Sequence, residues 1–146
     1  MIRRILAVAF ALLLATDALA NGSEQFGALT VHYAVVNTAE ITPEYASRYG
    51  LVRAPNRALV TIAVRDGEGA DSRAVGARVQ GTVHTLLAER VPLEFKRVRE
   101  GDARYHLAVF RFEDQAVLRF EITVEPEGFD REIPLRFNKT LYHARP

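Results

Sequence analysis

The sequence predicts an all-β protein, and three observations support that fold class. Apolar and polar residues alternate with a period of two in about seven short segments, the pattern of strands with one buried face. Segments rich in Gly, Asp and Pro separate these strands, as hairpin turns require. Only one short stretch, residues 43–49, has the signals of a helix. We therefore expect an immunoglobulin-like antiparallel β-sandwich of about seven strands, with a closed barrel as the alternative.

The strand candidates follow one another along the chain. Their sequences are ALTVHYAVV, RALVTIAVRD, ARVQGTVH, VPLEFKRV, RYHLAVFRF, VLRFEITVE and EIPLRFNKTLY. In the second of them, Val60, Ile62 and Val64 share the face that we expect to be buried. The fourth loses its alternation at Arg97-Val98, which predicts a β-bulge.

Residues 41–57, which we call the strap, join the first predicted strand to the second. Within the strap, Thr42 has the side chain of an N-cap and Pro43 suits the first helical position. Gly50 fits the left-handed conformation that follows a last helical turn. These signals predict a helix over residues 43–49.

A helix of this length is not stable alone in water, so it must pack on something. Tyr45 and Tyr49 are four residues apart and lie on one stripe of the helix, whereas Glu44 and Arg48 form a charged pair on another. We expect the two tyrosines to pack against the sandwich.

The N-terminus has the pattern of a secretory signal peptide over residues 1–20. Two arginines precede an apolar run at residues 5–15, and Ala18-Leu19-Ala20 supplies small residues at the cleavage site. The run is too short to span a bilayer, which takes about 20 residues. We therefore expect residues 21–146 to form a single β-sandwich domain in the periplasm, without membrane insertion after signal cleavage.

Charge and cysteine content limit the function classes. Removing Arg3, Arg4 and Asp17 with the signal changes 19 basic and 18 acidic residues to 17 of each. A net charge near zero argues against nucleic acid or an anionic membrane as the main partner. The chain has no cysteine, so it has neither disulfides nor thiolate chemistry.

No group of residues has the spacing of a catalytic, metal or cofactor site. The four histidines, His32, His84, His106 and His143, do not pair at ligand spacing. The three serines after the signal lie outside any nucleophile-elbow context. The loop DGEGAD offers carboxylates but lacks the order of a calcium loop. We expect no catalytic residues, no metal and no cofactor.

One cluster remains as a candidate binding surface. Its members are Tyr45, Arg48, Tyr49, Arg53, Asn56 and Arg57. Arginine and tyrosine together are typical of binding hot spots. The alternative is structural, with the tyrosines packed inward and the arginines bound to carbonyl or carboxylate groups of turns.

A family resemblance extends over most of the chain, from Phe26 to Tyr142. The segments FGALTVHYAVVNT, ITPE, NRALVTIAV, ARVQGTV, PLEF and FRFEDQAVLRFEITVEPEG are similar to domain-of-unknown-function family 4426, a group of small secreted proteins of Gram-negative bacteria. The stretch from Thr42 to Arg57 is the most specific part. The resemblance implies a periplasmic all-β sandwich, and it implies no activity.

These observations favour a non-enzymatic binding or accessory module that engages another envelope protein through a strand edge or the strap. The alternative is a carrier for a small ligand, a carbohydrate or an anionic metabolite, bound between the strap and the sheet.

Overall fold

The computed structural model describes residues 21–145, so the predicted signal peptide lies outside the described residues. The described residues form ten strands: β1 (Asn21–Phe26), β2 (Leu29–Asn37), β3 (Arg57–Asp66), β4 (Arg73–Val75), β5 (Ala77–His84), β6 (Arg90–Leu93), β7 (Lys96–Glu100), β8 (Ala103–Arg111), β9 (Ala116–Pro126) and β10 (Ile133–Leu141). They also form one α-helix, α1 (Pro43–Tyr49), and 3-10 helices at Thr38–Glu40 and Gly69–Asp71. No described helix is long and apolar enough to cross a membrane.

The strands form two antiparallel sheets that face each other. The six-stranded sheet has the order β1-β2-β3-β8-β7, with β4 paired to β3 beside it. The four-stranded sheet has the order β10-β9-β5-β6. The predicted all-β sandwich is confirmed.

The core between the sheets is built from the faces that the alternation assigned inward. On β3, Val60, Ile62 and Val64 are at most 1% exposed, and they pack in one cluster with residues of the other sheet. On β9, Phe120 is fully buried and stacks on Phe137 of β10 with the ring centroids 4.7 Å apart. Burying one such side chain contributes about 1.5–3 kcal/mol, so this core is the main source of stability.

Strands number ten rather than about seven for two reasons. β1 has the polar sequence NGSEQF and β4 has only three residues, so neither shows a period-two pattern. The segment VPLEFKRV holds two strands, because β6 belongs to the four-stranded sheet and β7 to the six-stranded sheet. The predicted bulge at Arg97-Val98 is therefore wrong, since the chain changes sheets at Glu94-Phe95 and its inward face changes with it.

Helix α1 has the predicted bounds and caps. The Thr42 hydroxyl accepts a hydrogen bond from the Tyr45 N–H, and Pro43 occupies the first turn. Gly50 is left-handed, with φ 66°, and donates its N–H to the last turn. The helix follows β2 rather than the first strand, because β1 precedes the first strand that the sequence predicted.

Candidate functional site

The strap lies on the outer face of the six-stranded sheet, where its tyrosines fill the space beneath α1. Tyr49 is 8% exposed and packs in a cluster with Leu59, Val98 and Leu107. Tyr45 is half-buried and meets the Tyr49 ring edge-on, with the centroids 4.8 Å apart. These rings occupy the space in which the alternative hypothesis places a small ligand.

Polar contacts tie the same helix to β7. The Tyr49 hydroxyl donates a hydrogen bond to the Glu100 carboxylate, and this bond, followed by burial, raises the pKa of Tyr49. Arg48 Nη1 lies 3.5 Å from Glu100 Oε1, so Arg48 pairs with β7 rather than with Glu44. Lys96 Nζ donates to the Tyr49 carbonyl over 2.9 Å.

The loop after α1 is held by two buried polar side chains. Asn37 Nδ2 donates to the Pro55 carbonyl over 2.7 Å. The Thr38 hydroxyl donates to the Ala54 carbonyl and accepts from its N–H. Both side chains are more than nine-tenths buried, so these bonds form away from water, where an unmade hydrogen bond costs most.

The other predicted site residues lie further along the strap. Arg53 Nη2 donates to the Ala39 carbonyl over 3.0 Å. This is the kind of contact that the structural alternative predicts, in which the arginines bind carbonyl groups of turns. The Asn56 carbonyl accepts from the Phe112 N–H, which places Asn56 at one end of the sandwich. Arg57 begins β3 directly opposite Arg111. The six predicted residues thus divide between the outer face of the sheet and that end.

A cleft opens between the two sheets at this end, which we call the apical end. Its volume is about 520 Å³, within the range of roughly 300–1,000 Å³ that is usual for small-molecule sites. The walls are mainly apolar and come from both sheets, with Phe110 on one side and Val83 on the other. Asn56 and Glu113 add polar groups.

The β5–β6 hairpin forms one rim of the apical cleft. Ala88 N–H donates to the Thr85 carbonyl over 3.1 Å, which closes a tight turn with Leu86 and Leu87 at its tip. Leu86 is 80% exposed and Leu87 is 85% exposed. Tip positions of such turns usually hold Gly, Pro, Asn, Asp or Ser, so these two leucines are unexpected there.

A second concavity lies beside the first, around the outer face of the four-stranded sheet. Its volume is about 680 Å³, and His84, Arg90 and Asn138 contribute to its lining. Leu86 and Val117 line both concavities. Val117 is 42% exposed, so the apical end presents three exposed apolar side chains between two hollows.

Backbone strain is concentrated in the turns that frame the cleft. Within residues 21–145, Ala88 and Gln115 are the two non-glycine residues with positive φ, at 62° and 57°. The left-handed conformation costs a residue with a Cβ atom about 1–2 kcal/mol. Ala88 lies in the β5–β6 turn and Gln115 in the β8–β9 turn. Strained residues of this kind cluster at functional sites.

Among the histidines, His106 has the most unusual environment. Within the described residues, no three His, Asp or Glu side chains form a cluster that could hold a metal ion. His84 Nε2 lies 3.1 Å from Glu121 Oε2, and His143 Nε2 lies 3.0 Å from the Phe112 carbonyl oxygen. His106 is 3% exposed, and its buried Nε2 has no hydrogen-bond partner among the described residues.

The family described as a domain of unknown function, DUF4426, matches residues 23–144. The chain belongs to this family. A crystal structure of a DUF4426 protein from Pseudomonas aeruginosa PAO1 is 33% identical to it, with a TM-score of 0.76. That match covers 88% of this chain and 99% of the other. None of the curated proteins matches.

Two solved structures of FetP from uropathogenic Escherichia coli strain F11 have a similar fold. FetP as isolated, after recombinant expression in the periplasm, is 9% identical with a TM-score of 0.62, over 86% of this chain and 96% of FetP. A copper-bound variant of FetP is 8% identical with a TM-score of 0.53, over 87% and 93% of the two chains. At this level of identity the likeness concerns the fold alone.

In this DUF4426 chain, sequence reasoning missed the residues that make the apical end distinctive. Leu86 and Leu87 lie just beyond Thr85, after a strand that already has a complete alternating pattern. The usable signal was their position in a short connection between two strands, where polar turn residues are the rule.

Proposed function

We propose that this DUF4426 protein is a non-enzymatic binding module of the periplasm that engages another envelope protein through its apical end. The observation that supports the proposal is the pair Leu86 and Leu87, which are exposed at the tip of a tight hairpin beside an apolar cleft. Large exposed apolar side chains grouped in this way are typical of interaction sites.

The two leucines do little for the fold itself. With at least 80% of each residue in contact with water, they bury little apolar surface within the chain. Each would contribute about 1.5–3 kcal/mol when fully covered by a partner. The presence of two leucines at a solvent-exposed tip is therefore better explained by binding than by folding.

The geometry also favours docking without rearrangement. Backbone hydrogen bonds between Thr85 and Ala88, and between Thr85 and Glu89, hold the tip in a defined shape. A rigid tip loses little conformational entropy when it binds. Charged residues of both signs surround the apolar centre, including Glu89, Arg90 and Arg111. An apolar centre with a polar rim is the usual anatomy of a protein interface.

The proposal assigns contact rather than chemistry to this end of the molecule. The polar side chains of the apical cleft include Asn56, Glu89 and Glu113, and these do not form a nucleophile with an adjacent base.

The periplasmic location in this proposal rests on the predicted signal peptide at residues 1–20. An intact mass of the exported protein that begins at Asn21 would support it, and one that includes residues 1–20 would oppose it.

The test compares capture of envelope proteins by three purified baits. The baits are the wild-type protein, the double variant Leu86→Ser/Leu87→Ser, and a matched control, Val52→Ser. Val52 is also an exposed apolar residue, at 54%, but it lies in the strap. We expect the wild type and the control to capture the same partner and the double variant to lose it, with all three melting within about 2 °C of one another, since exposed substitutions change stability little.

Capture that survives the double substitution would refute apical docking. Loss of capture in the Val52→Ser control alone would instead assign the interface to the strap, as the predicted hot spot does.

A second candidate function is supported by the apical cleft itself. Its volume and apolar lining suit a small ligand, so the carrier hypothesis is retained with its site at the apical end. Native mass spectrometry of protein purified from the periplasm would show a bound compound. Ala116→Phe, which enlarges a half-buried residue of the lining, should abolish that additional mass while Val52→Ser retains it.

A further inference from the structure

A second cleft lies at the opposite end of the sandwich, which we call the basal end. β3 pairs with β8 only from Arg57 to Ile62, and beyond that point it pairs with β4 instead. The remainder of β8, from Ala103 to Tyr105, pairs with β7 but not with β3. A cavity of about 420 Å³ opens where β4 and the β7–β8 hairpin diverge.

Four arginines line this basal cleft. They are Arg65, Arg73, Arg99 and Arg104, and the acidic residue in the lining is Asp102. Residues 21–146 carry equal numbers of basic and acidic side chains. The four arginines of the basal cleft are therefore a local concentration of positive charge on a protein that is not basic as a whole.

Two of these arginines are placed against each other. Arg99 of β7 is the direct cross-strand partner of Arg104 of β8. Like charges in directly opposite positions of an antiparallel pair destabilise the sheet. Arg99 forms no ion pair within the described residues. Arg104 lies 3.8 Å from Glu127, a carboxylate that Arg97 approaches more closely, at 3.0 Å.

A third arginine is held in place by hydrogen bonds, and it forms no ion pair with any of residues 21–145. Arg65 Nε donates to the Ser72 hydroxyl over 2.8 Å, and its Nη2 donates to the Ser72 carbonyl over 2.7 Å. Both acceptors are neutral. Burial, and then the positive charge of Arg65, lower the pKa of His32 on the neighbouring strand.

The fourth arginine, Arg73, is largely exposed to solvent and only loosely paired. The Arg73 side chain is 80% exposed and lies 3.6 Å from Asp66. An exposed pair at this distance contributes little to stability. Arg73 is therefore able to turn toward a ligand in the cleft at little cost.

From this arrangement we infer that the basal cleft binds a multiply charged oxyanion, with two or more phosphate-like or carboxylate groups. The guanidinium fork matches such groups through paired N–H donors. Because Arg65, Arg99 and Arg104 line the same cavity, it offers donors to more than one anionic group, and this favours an anion with two linked groups over a single phosphate. The anion relieves the repulsion between Arg99 and Arg104 that the fold alone leaves in place. This site is independent of the proposed apical docking.

The test uses inorganic pyrophosphate as the probe, titrated by calorimetry at constant ionic strength. Arg99→Gln and Arg104→Gln should each weaken binding at least tenfold. The matched control is Arg136→Gln, the same charge change at an exposed residue on the outer face of β10, and it should bind as the wild type does. Equal affinity in all four proteins, or no binding of millimolar pyrophosphate to the wild type, would overturn the inference.

Thermal melts without the anion supply a separate readout. Because Arg99 faces a like charge and has no ion-pair partner in the part of the chain that the structure describes, Arg99→Gln should melt at or above the wild-type temperature at low salt. A decrease of several degrees would mean that Arg99 is a structural residue, which contradicts the inference.

The anionic groups could belong to a free solute or to a lipid headgroup, and a sedimentation assay distinguishes these sources. Vesicles of phosphatidylcholine and cardiolipin, whose headgroup links two phosphates, that retain the wild type, lose the Arg99→Gln variant and release the protein on addition of pyrophosphate would identify the headgroup. Pyrophosphate binding without vesicle binding would identify a free anion. Vesicle retention that Arg99→Gln leaves unchanged would place membrane contact outside the basal cleft and, with no pyrophosphate binding, refute the site.

Discussion

The Tyr49 hydroxyl donates a hydrogen bond to the Glu100 carboxylate, and this contact joins the end of helix α1 to the end of strand β7. The Tyr49 ring lies beneath it, against Leu59, Val98 and Leu107. The strap is therefore attached both by apolar packing and by a hydrogen bond to a charged group, a bond stronger than one between neutral groups.

Truncation of this side chain should destabilise the protein strongly. Tyr49→Ala removes a buried ring and leaves a cavity beneath α1, and changes of this kind are among the most costly single substitutions. For a domain of this size we expect a decrease in melting temperature of roughly 10 °C. Thermal denaturation followed by circular dichroism measures it.

Two control variants separate packing from the hydrogen bond. Tyr49→Phe keeps the ring and should lower the melting temperature by only part of the decrease expected for Tyr49→Ala. Arg48→Ala, at an exposed side chain that lies 3.5 Å from Glu100, should shift the melting temperature by about 2 °C or less. Wild-type melting of Tyr49→Ala would mean that the tyrosine does not hold the strap in place.

Replacing Arg53 or Arg57 with alanine should affect the stability of the protein differently. Arg53→Ala removes the hydrogen bond to the Ala39 carbonyl, so we expect a loss of roughly 1 kcal/mol of unfolding free energy and unchanged partner capture. Arg57→Ala relieves a like-charge placement opposite Arg111 and should leave stability nearly unchanged.

Denaturant melts and capture assays on the same two variants check this prediction. If Arg53→Ala abolished capture at wild-type stability, Arg53 would be a binding hot spot rather than a structural residue of the strap.

Local signals were sufficient to predict the strap and the faces of the long strands. Thr42, Pro43 and Gly50 each act within four residues of sequence, so the bounds of α1 followed from them. The inward faces of β3 and β9 followed in the same way, because alternation reports which side of a strand is buried.

The sites at the two ends could not be predicted, because they depend on which distant segments meet. Arg65 and Arg99 are far apart in the sequence, and only the pairing of β3, β7 and β8 shows that they line one cleft. The division of VPLEFKRV between two sheets likewise depends on tertiary pairing. The cleft beside Leu86 exists because β5–β6 and β8–β9 turns from different sheets come together.

Strain in the hairpin tip can be measured by substitution. Ala88 has φ 62°, a conformation that glycine adopts without the steric cost of a Cβ atom. Ala88→Gly should therefore raise the free energy of unfolding, by up to about 1 kcal/mol after the greater chain entropy of glycine is allowed for. Denaturant melts measure the change.

Gly69 supplies the comparison, because it also has positive φ, at 61°, and is exposed at the start of the 3-10 helix Gly69–Asp71. Gly69→Ala should destabilise the protein by a similar amount in the opposite direction. If Ala88→Gly lowered stability, the left-handed conformation of Ala88 would be supported by contacts that outweigh its strain.

His106 should make the fold sensitive to acid. Burial is the first cause that lowers the pKa of His106, followed by the charge of Arg97, while Glu127 opposes both. A histidine with a lowered folded-state pKa disfavours the folded state once the unfolded chain begins to take up protons. The contribution of His106 to stability is thus complete above its unfolded pKa of about 6.5 and is lost as the pH falls from there through the lowered folded value.

The variant His106→Leu removes this titration and also the buried Nε2 that has no hydrogen-bond partner among the described residues. We expect the variant to gain about 1 kcal/mol of unfolding free energy at pH 7.5 and to lose less than the wild type between pH 7.5 and pH 5. Denaturant melts at the two pH values measure both effects, and equal losses in the two proteins would show that the acid sensitivity comes from other groups.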